Sequence, residues 1–239
     1  MALQSLSLIP TDEAKAAAGN DLSRRMFVVG GVASLSIAAM IVAAPAAFAQ
    51  QAREEIPEAE LMAEGALPDI VYGNADAKVT VVEYASMTCG HCANFHTNVY
   101  PKLKEKYVDT GKVKFVFREF PLDNLAAAAS MLSRCTDSKE KGEALTSALF
   151  KRRREWVVRG NPVPRLFEIA KQVGFTEAKF NECLQNQDLL RKIAAVRERG
   201  SEKFGVNATP TFFVNGKRLR GGSVEDFEKV IEPLLKESS

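Results

Sequence analysis

Met87-Thr88-Cys89-Gly90-His91-Cys92-Ala93-Asn94-Phe95-His96 carries two of the chain's four cysteines and both of its histidines. Two thiols spaced by two residues can grip a metal, staple a loop or exchange electrons. A structural zinc site needs four ligands. Cys89, Cys92 and His96 supply three, and a fourth would have to come from elsewhere, since Cys135 and Cys183 each stand alone and distant. Covalent haem requires His directly after the second Cys, and Ala93 stands there. A disulfide across so small a loop adds little stability, because the entropy removed grows with loop length. Redox exchange fits the context best.

That context is set by the elements around the motif. Lys78 to Ser86 (KVTVVEYAS) alternates and is β-branched, so it reads as a strand. From Cys89 to about Val108 the apolar residues Cys92, Phe95, Val99, Leu103 and Tyr107 recur at spacings of three and four, which predicts a helix. Pro101 should kink it, and Asp109-Thr110-Gly111 should stop it. Lys112 to Pro121 is a second strand. Strand, helix and strand make a βαβ unit with parallel strands. Residues 123–204 read as helices only. Thr209 to Gly222 reads as a hairpin around Asn215-Gly216, and Ser223 caps a last helix.

A helix N-terminus favours an anion through its unpaired N–H groups and its dipole. A thiolate at Cys89 is such an anion, and protonated His91 between the two thiols would favour it further. Cys92, one turn in, should be more buried and act as the resolving thiol.

On these residues the chain resembles the DsbA-like proteins of the thioredoxin superfamily. The matching features are Cys89-Gly90-His91-Cys92, the strand before it, the helical insertion, and Thr209-Pro210 ahead of the hairpin. The resemblance spans about residues 69–236 and implies an α/β thioredoxin fold with an inserted all-helical subdomain. Residues 69–122 and 205–239 would form the thioredoxin domain, and 123–204 the insertion. It implies a cis Pro210 facing the thiols, with Thr209 offering backbone groups to an extended substrate. It also implies a buried acid beneath the thiols that passes protons to the resolving cysteine, and Glu83 takes that position. Its neighbours Val81, Val82 and Tyr84 fit burial. His96 is expected to pack or face solvent. Gly90 stands where the strongest oxidants of the family carry proline, which bears on oxidising strength.

Cys135 and Cys183 both fall in the helical block, 48 residues apart. In an oxidising compartment they are expected to pair, and the pair resembles a second disulfide of some DsbA-like proteins. The other reading is two buried reduced thiols.

The N-terminus points to that compartment. Ser23-Arg24-Arg25-Met26-Phe27 resembles the twin-arginine export signal. A mild apolar stretch follows and ends in Ala47-Phe48-Ala49, a cleavable pattern. Residues 1–49 are therefore expected to be an export signal, with an uncleaved membrane anchor as the alternative, and 50–68 a mobile leader. Disulfides persist in the periplasm.

Net charge is +2, so nothing marks a nucleic-acid protein. The run Lys151-Arg152-Arg153-Arg154 reads as a solvated helix face, or else as a docking patch for an anionic partner. The reading is a periplasmic enzyme, a protein dithiol-disulfide oxidoreductase that introduces disulfides into exported proteins. Its partners would be folding substrates and a DsbB-type membrane protein that reoxidises it. A monomer is expected, with no cofactor and no metal. An isomerase or reductase kept reduced, or a redox-inactive chaperone, are the competing readings.

Overall fold

The computed structural model describes residues 53–237. The export signal expected over residues 1–49 lies outside the described residues. A short helix α1 (Glu58–Leu61) precedes strands β1 (Ile70–Tyr72) and β2 (Val79–Ala85). Helix α2 (Gly90–Asn94) runs through a π-helical turn (Phe95–Val99) into α3 (Tyr100–Leu103) and a second π-helical turn (Lys104–Val108). Strand β3 (Val113–Glu119) follows. Helices α4 (Asn124–Arg134), α5 (Lys139–Lys151), α6 (Arg153–Trp156), α7 (Val163–Ala170), α8 (Glu177–Gln185) and α9 (Gln187–Phe204) then lead to β4 (Thr211–Val214), β5 (Lys217–Leu219) and α10 (Val224–Glu237). Among the described residues no helix is long and apolar enough to cross a membrane.

The five strands form one sheet in the order β1-β3-β2-β4-β5. β2 and β3 are parallel, and the other pairs are antiparallel. A parallel pair needs a crossover, which the α2–α3 column supplies. β2 is central, and all seven of its residues are buried. A strand covered on both faces loses the polar half of its alternation, which is why Val79, Val81 and Val82 crowd into one run. By the period of two, Val79, Val81, Glu83 and Ala85 share one face. That face meets Phe95, Phe115, Phe117 and Phe212 in the larger core, which continues into the helices of the insertion. Val82 and Tyr84 turn to a smaller core with Val116, Phe120, Phe204 and Phe213.

Two details depart from the sequence reading. The segment 50–68, expected to be a mobile leader, is packed onto the fold from residue 53. Ile56 and Leu61 are buried in the smaller core, and Glu55 bridges to Lys217. Arg199 donates to the carbonyls of Glu60, Ala63 and Glu64. Two apolar residues in a polar stretch show no period, so their burial left no pattern. β1 was also hidden, because three residues are too few to show alternation. Its start is pinned where the Arg118 guanidinium grips the Asp69 carboxylate at 2.7 and 2.8 Å. Pro101, expected to kink the helix, lies inside the continuing helical column at its junction with a π-helical turn. Its ring and missing N–H disfavour an α-helical turn before it. The wider π-helical turn lies directly before it, closed by Tyr100 N–H on the Phe95 carbonyl.

Candidate active site

Cys89 occupies the N-cap of α2, with φ −72° and ψ 128°. Its own N–H donates to the Ser86 carbonyl at 3.1 Å, and its carbonyl accepts from Ala93 at 3.1 Å. The approach from β2 is braced by a polar chain. Ser86 and Thr88 hydroxyls lie 3.2 Å apart, and Thr88 donates to Asp123 at 2.7 Å. Asp123 also caps α4 by accepting from Ala126 N–H. Arg153 donates to the Thr88 carbonyl, one residue before the first thiol.

The two thiols are free, and they differ. Cys89 is half-buried, and Cys92 is fully buried. The Cys89 pKa falls from about 9 to about 5. The largest cause is a hydrogen bond from the Cys92 thiol, opposed by partial burial. The Thr209 side chain and the backbone N–H groups of Cys92 and His91 add to the lowering. Cys92 moves the other way. Burial pushes its pKa far up, and its hydrogen bond to Cys89 and the charge of Glu83 push it further. The pair is thus polarised: one sulfur ionises well below neutrality, and the other holds its proton.

The sequence reading assigned the low Cys89 pKa partly to charge on His91. In the structure the His91 ring is exposed, and the residue acts through its backbone N–H. These N–H groups of the helix N-terminus add to the larger lowering from the Cys92 thiol and the Thr209 side chain.

Thr209-Pro210 is a cis peptide bond. The Cys89 thiol donates to the Thr209 carbonyl at 3.3 Å, so the loop before β4 closes directly over the motif. The Thr209 hydroxyl is buried and has no hydrogen-bond partner beside the protonated thiol. Its lowering of the Cys89 pKa therefore belongs to the thiolate, toward which it can donate. Glu83 is fully buried and sits between Phe117 of β3 and Phe212 of β4 in register. His96, expected only to pack or face solvent, is also buried, and its Nε2 lies 2.8 Å from Glu83 Oε2. The spacing held a signal: His96 follows Cys92 by four residues, which puts both on one helix face.

Elsewhere, Cys135 at the end of α4 and Cys183 of α8 are joined in a disulfide with Cα atoms 6.1 Å apart. The basic run flanks a groove of about 330 Å³ beside Gly90, Ala93 and Asn94. Within it Arg152 pairs with Glu155, while Lys151 and Arg154 are exposed. Among the described residues no three His, Cys, Asp or Glu side chains gather to hold a metal.

A family model described as thioredoxin matches residues 66–233. The chain belongs to the thioredoxin family. Within the family it is DsbA-like. The crystal structure of Wolbachia pipientis alpha-DsbA1 superimposes with a TM-score of 0.70 at 33% identity, covering 77% of this chain and 98% of that one. Oxidised BdbD from Bacillus subtilis superimposes with a TM-score of 0.62 at 25% identity, covering 70% and 93%. A Rickettsia bellii protein whose name assigns it provisionally to the protein-disulfide oxidoreductases is 32% identical, over 71% of this chain and 66% of its own length. For its Rickettsia conorii counterpart, 30% identical, the share is 61%. The chain thus spans less than two thirds of the length of these relatives.

Proposed function

We propose that this DsbA-like protein is a thiol:disulfide oxidoreductase that introduces disulfides into exported proteins in the periplasm. The observation that carries the reading is the asymmetry of the two thiols: an accessible, acidic Cys89 against the cis Thr209-Pro210 peptide, and a buried Cys92 that keeps its proton. In the oxidised form Cys89 and Cys92 share a disulfide. A substrate thiolate attacks Cys89 Sγ along its exposed side. The substrate–Cys89 bond forms, the Cys89–Cys92 bond breaks, and the electron pair passes to Cys92 Sγ, which takes up a proton. A second substrate thiolate then attacks the substrate sulfur of the mixed disulfide. The substrate leaves oxidised, and Cys89 leaves as a thiolate. The low Cys89 pKa makes it a good leaving group. The backbone of Thr209 offers an edge on which an extended substrate segment can pair.

The relatives' names support disulfide exchange. The direction rests on the stabilised thiolate, because a protein that stabilises its reduced form is a strong oxidant. A DsbB-type membrane partner would restore the Cys89–Cys92 disulfide. Residues 1–49 would deliver the chain by twin-arginine export and then be removed.

The reduction potential of the Cys89–Cys92 pair, measured against a glutathione buffer, tests this. A value near the oxidising end of the family range, about −120 to −180 mV, is expected. A value near the thioredoxin figure of about −270 mV would replace the oxidase reading with a reductase.

A further inference from the structure

Breaking the Cys89–Cys92 disulfide leaves a thiolate at a site with no exposure to water: Cys92 is 0% exposed. A proton must reach it through protein. Glu83 is equally buried, at 0% of its side chain. One of its carboxyl oxygens, Oε2, is held by His96 Nε2 at 2.8 Å, and the other, Oε1, is buried without a hydrogen-bond partner. The His96 ring is clamped by Phe150 of α5, stacked at 4.2 Å and 8°. His96 also lines a cavity of about 410 Å³.

Building on the oxidase reading, we propose that His96 is a positioning residue that connects the buried Glu83 carboxyl to this cavity, so that the proton taken up by Cys92 comes from cavity water through His96 and Glu83. In that step Glu83 gives its proton to the Cys92 thiolate. His96 Nε2–H reprotonates Glu83, and Nδ1 takes a proton from water. One proton moves from solvent to sulfur, and no charge is left in the core. In the reverse direction the same path carries the proton out.

The surroundings fit a relay rather than a plain ion pair. The charge of Glu83 acts on both Cys92 and Tyr72. The cavity that His96 lines is also lined by Tyr100 from α3, Lys104 from the π-helical turn, and Glu140 and Glu143 from α5. Lys104 is already held by Asp109 and by Glu143 at 3.8 Å. The cavity therefore offers polar walls for water, including the Tyr100 hydroxyl and Thr146 Oγ1, both buried without a partner.

The test is single-turnover oxidation of a peptide dithiol by the oxidised full chain, over the range in which histidine titrates, about pH 5 to 8. His96→Gln keeps a hydrogen bond to Glu83 but cannot pass a proton. It should slow the step that releases Cys92 by about 10-fold or more and leave the thiolate titration of Cys89 unchanged. His96→Ala should be slow as well. Added imidazole should restore its rate, and pyrazole, a ring of the same size and much weaker basicity, should not. Wild-type rates in His96→Gln across this range would overturn the proposal. So would equal rescue by both rings, which would mean that the residue only fills space. If the His96 variants do not fold, Ser147→Phe plugs the cavity from its exposed rim. Slowing there supports the path, and unchanged turnover overturns it. A wild-type protein that fails to oxidise the peptide would overturn the oxidase reading itself, whereas an active wild type with indifferent variants overturns the relay alone.

Discussion

The acidity of Cys89 is assembled from atoms that belong to other residues, and each can be removed singly. The Cys92 thiol is the largest contributor. Cys92→Ala is therefore expected to raise the Cys89 pKa, and Cys92→Ser, which keeps a donor, to recover most of the lowering. Thiolate absorbance titrated against pH measures both, and an unmoved titration in Cys92→Ala would contradict this order of causes. Thr209→Val removes a buried hydroxyl that has no other hydrogen-bond partner. It should raise the same pKa by a smaller amount and leave the fold intact, since the valine is close in volume. Backbone N–H groups complete the set, and side-chain substitution does not delete them.

At the scale of elements, the site depends on how β4 is delivered to the motif. The β4–β5 hairpin turns at Asn215 (φ 44°) and Gly216 (φ 83°), the pair of left-handed residues that a two-residue hairpin turn demands. Asn215 then ties the turn to β2. Its Oδ1 accepts from Thr80 N–H at 2.7 Å, and its N–H donates to the Thr80 carbonyl at 2.9 Å. A Cβ on Gly216 would stand 2.0 Å from the Ile56 carbonyl oxygen, so glycine is required twice over. Gly216→Ala is expected to cost at least about 2 kcal/mol in denaturant unfolding. It should also loosen residues 53–57, because Ile56 N–H donates to the Gly216 carbonyl at 2.9 Å. Faster backbone exchange at Ile56, measured by hydrogen–deuterium exchange, is the sign to look for. An exchange rate equal to wild type would mean that the N-terminal segment is held by the smaller core alone.

For the whole molecule, the low Cys89 pKa couples redox state to stability. The folded pKa lies below the unfolded value, so the thiolate stabilises the reduced protein fully above about pH 9. That contribution declines as pH falls and vanishes below about pH 5. The oxidised form has no such group. Unfolding of both forms across pH should therefore show the reduced protein gaining on the oxidised one as pH rises from 5 to 9. Parallel curves would mean that Cys89 is not ionised in the fold. The Cys135–Cys183 bridge must be kept intact in this comparison. It closes a loop of 48 residues between α4 and α8, which corresponds to about 4 kcal/mol in the chain-entropy model. Cys183 is buried, whereas Cys89 is half-exposed. Mild reduction and alkylation followed by intact-mass analysis should thus label Cys89 and spare Cys135 and Cys183. Four labels without denaturant would remove the case for a protected bridge.

Periodicity and punctuation carried the strands β2 and β3, the helix after the motif, the helical block and the Asn215-Gly216 turn, because each is set by residues near one another in the chain. The same local chemistry placed Cys89 at a helix start and Cys92 one turn in. What lay beyond it came from contacts across the sheet. Ile56 and Leu61 are buried because the smaller core around Val82, Tyr84, Phe204 and Phe213 receives them. Cys89 also gains acidity from the Cys92 thiol and the Thr209 side chain, which local spacing did not single out for that role. His96 reads in sequence as a lone histidine with an unremarkable place on a helix. It becomes the partner of Glu83 because β2, α5 and the helix column converge there. Spacing along a chain specifies which face a side chain takes. The dielectric around it and the group it meets are decided by elements tens of residues away, and a proton's position depends on those.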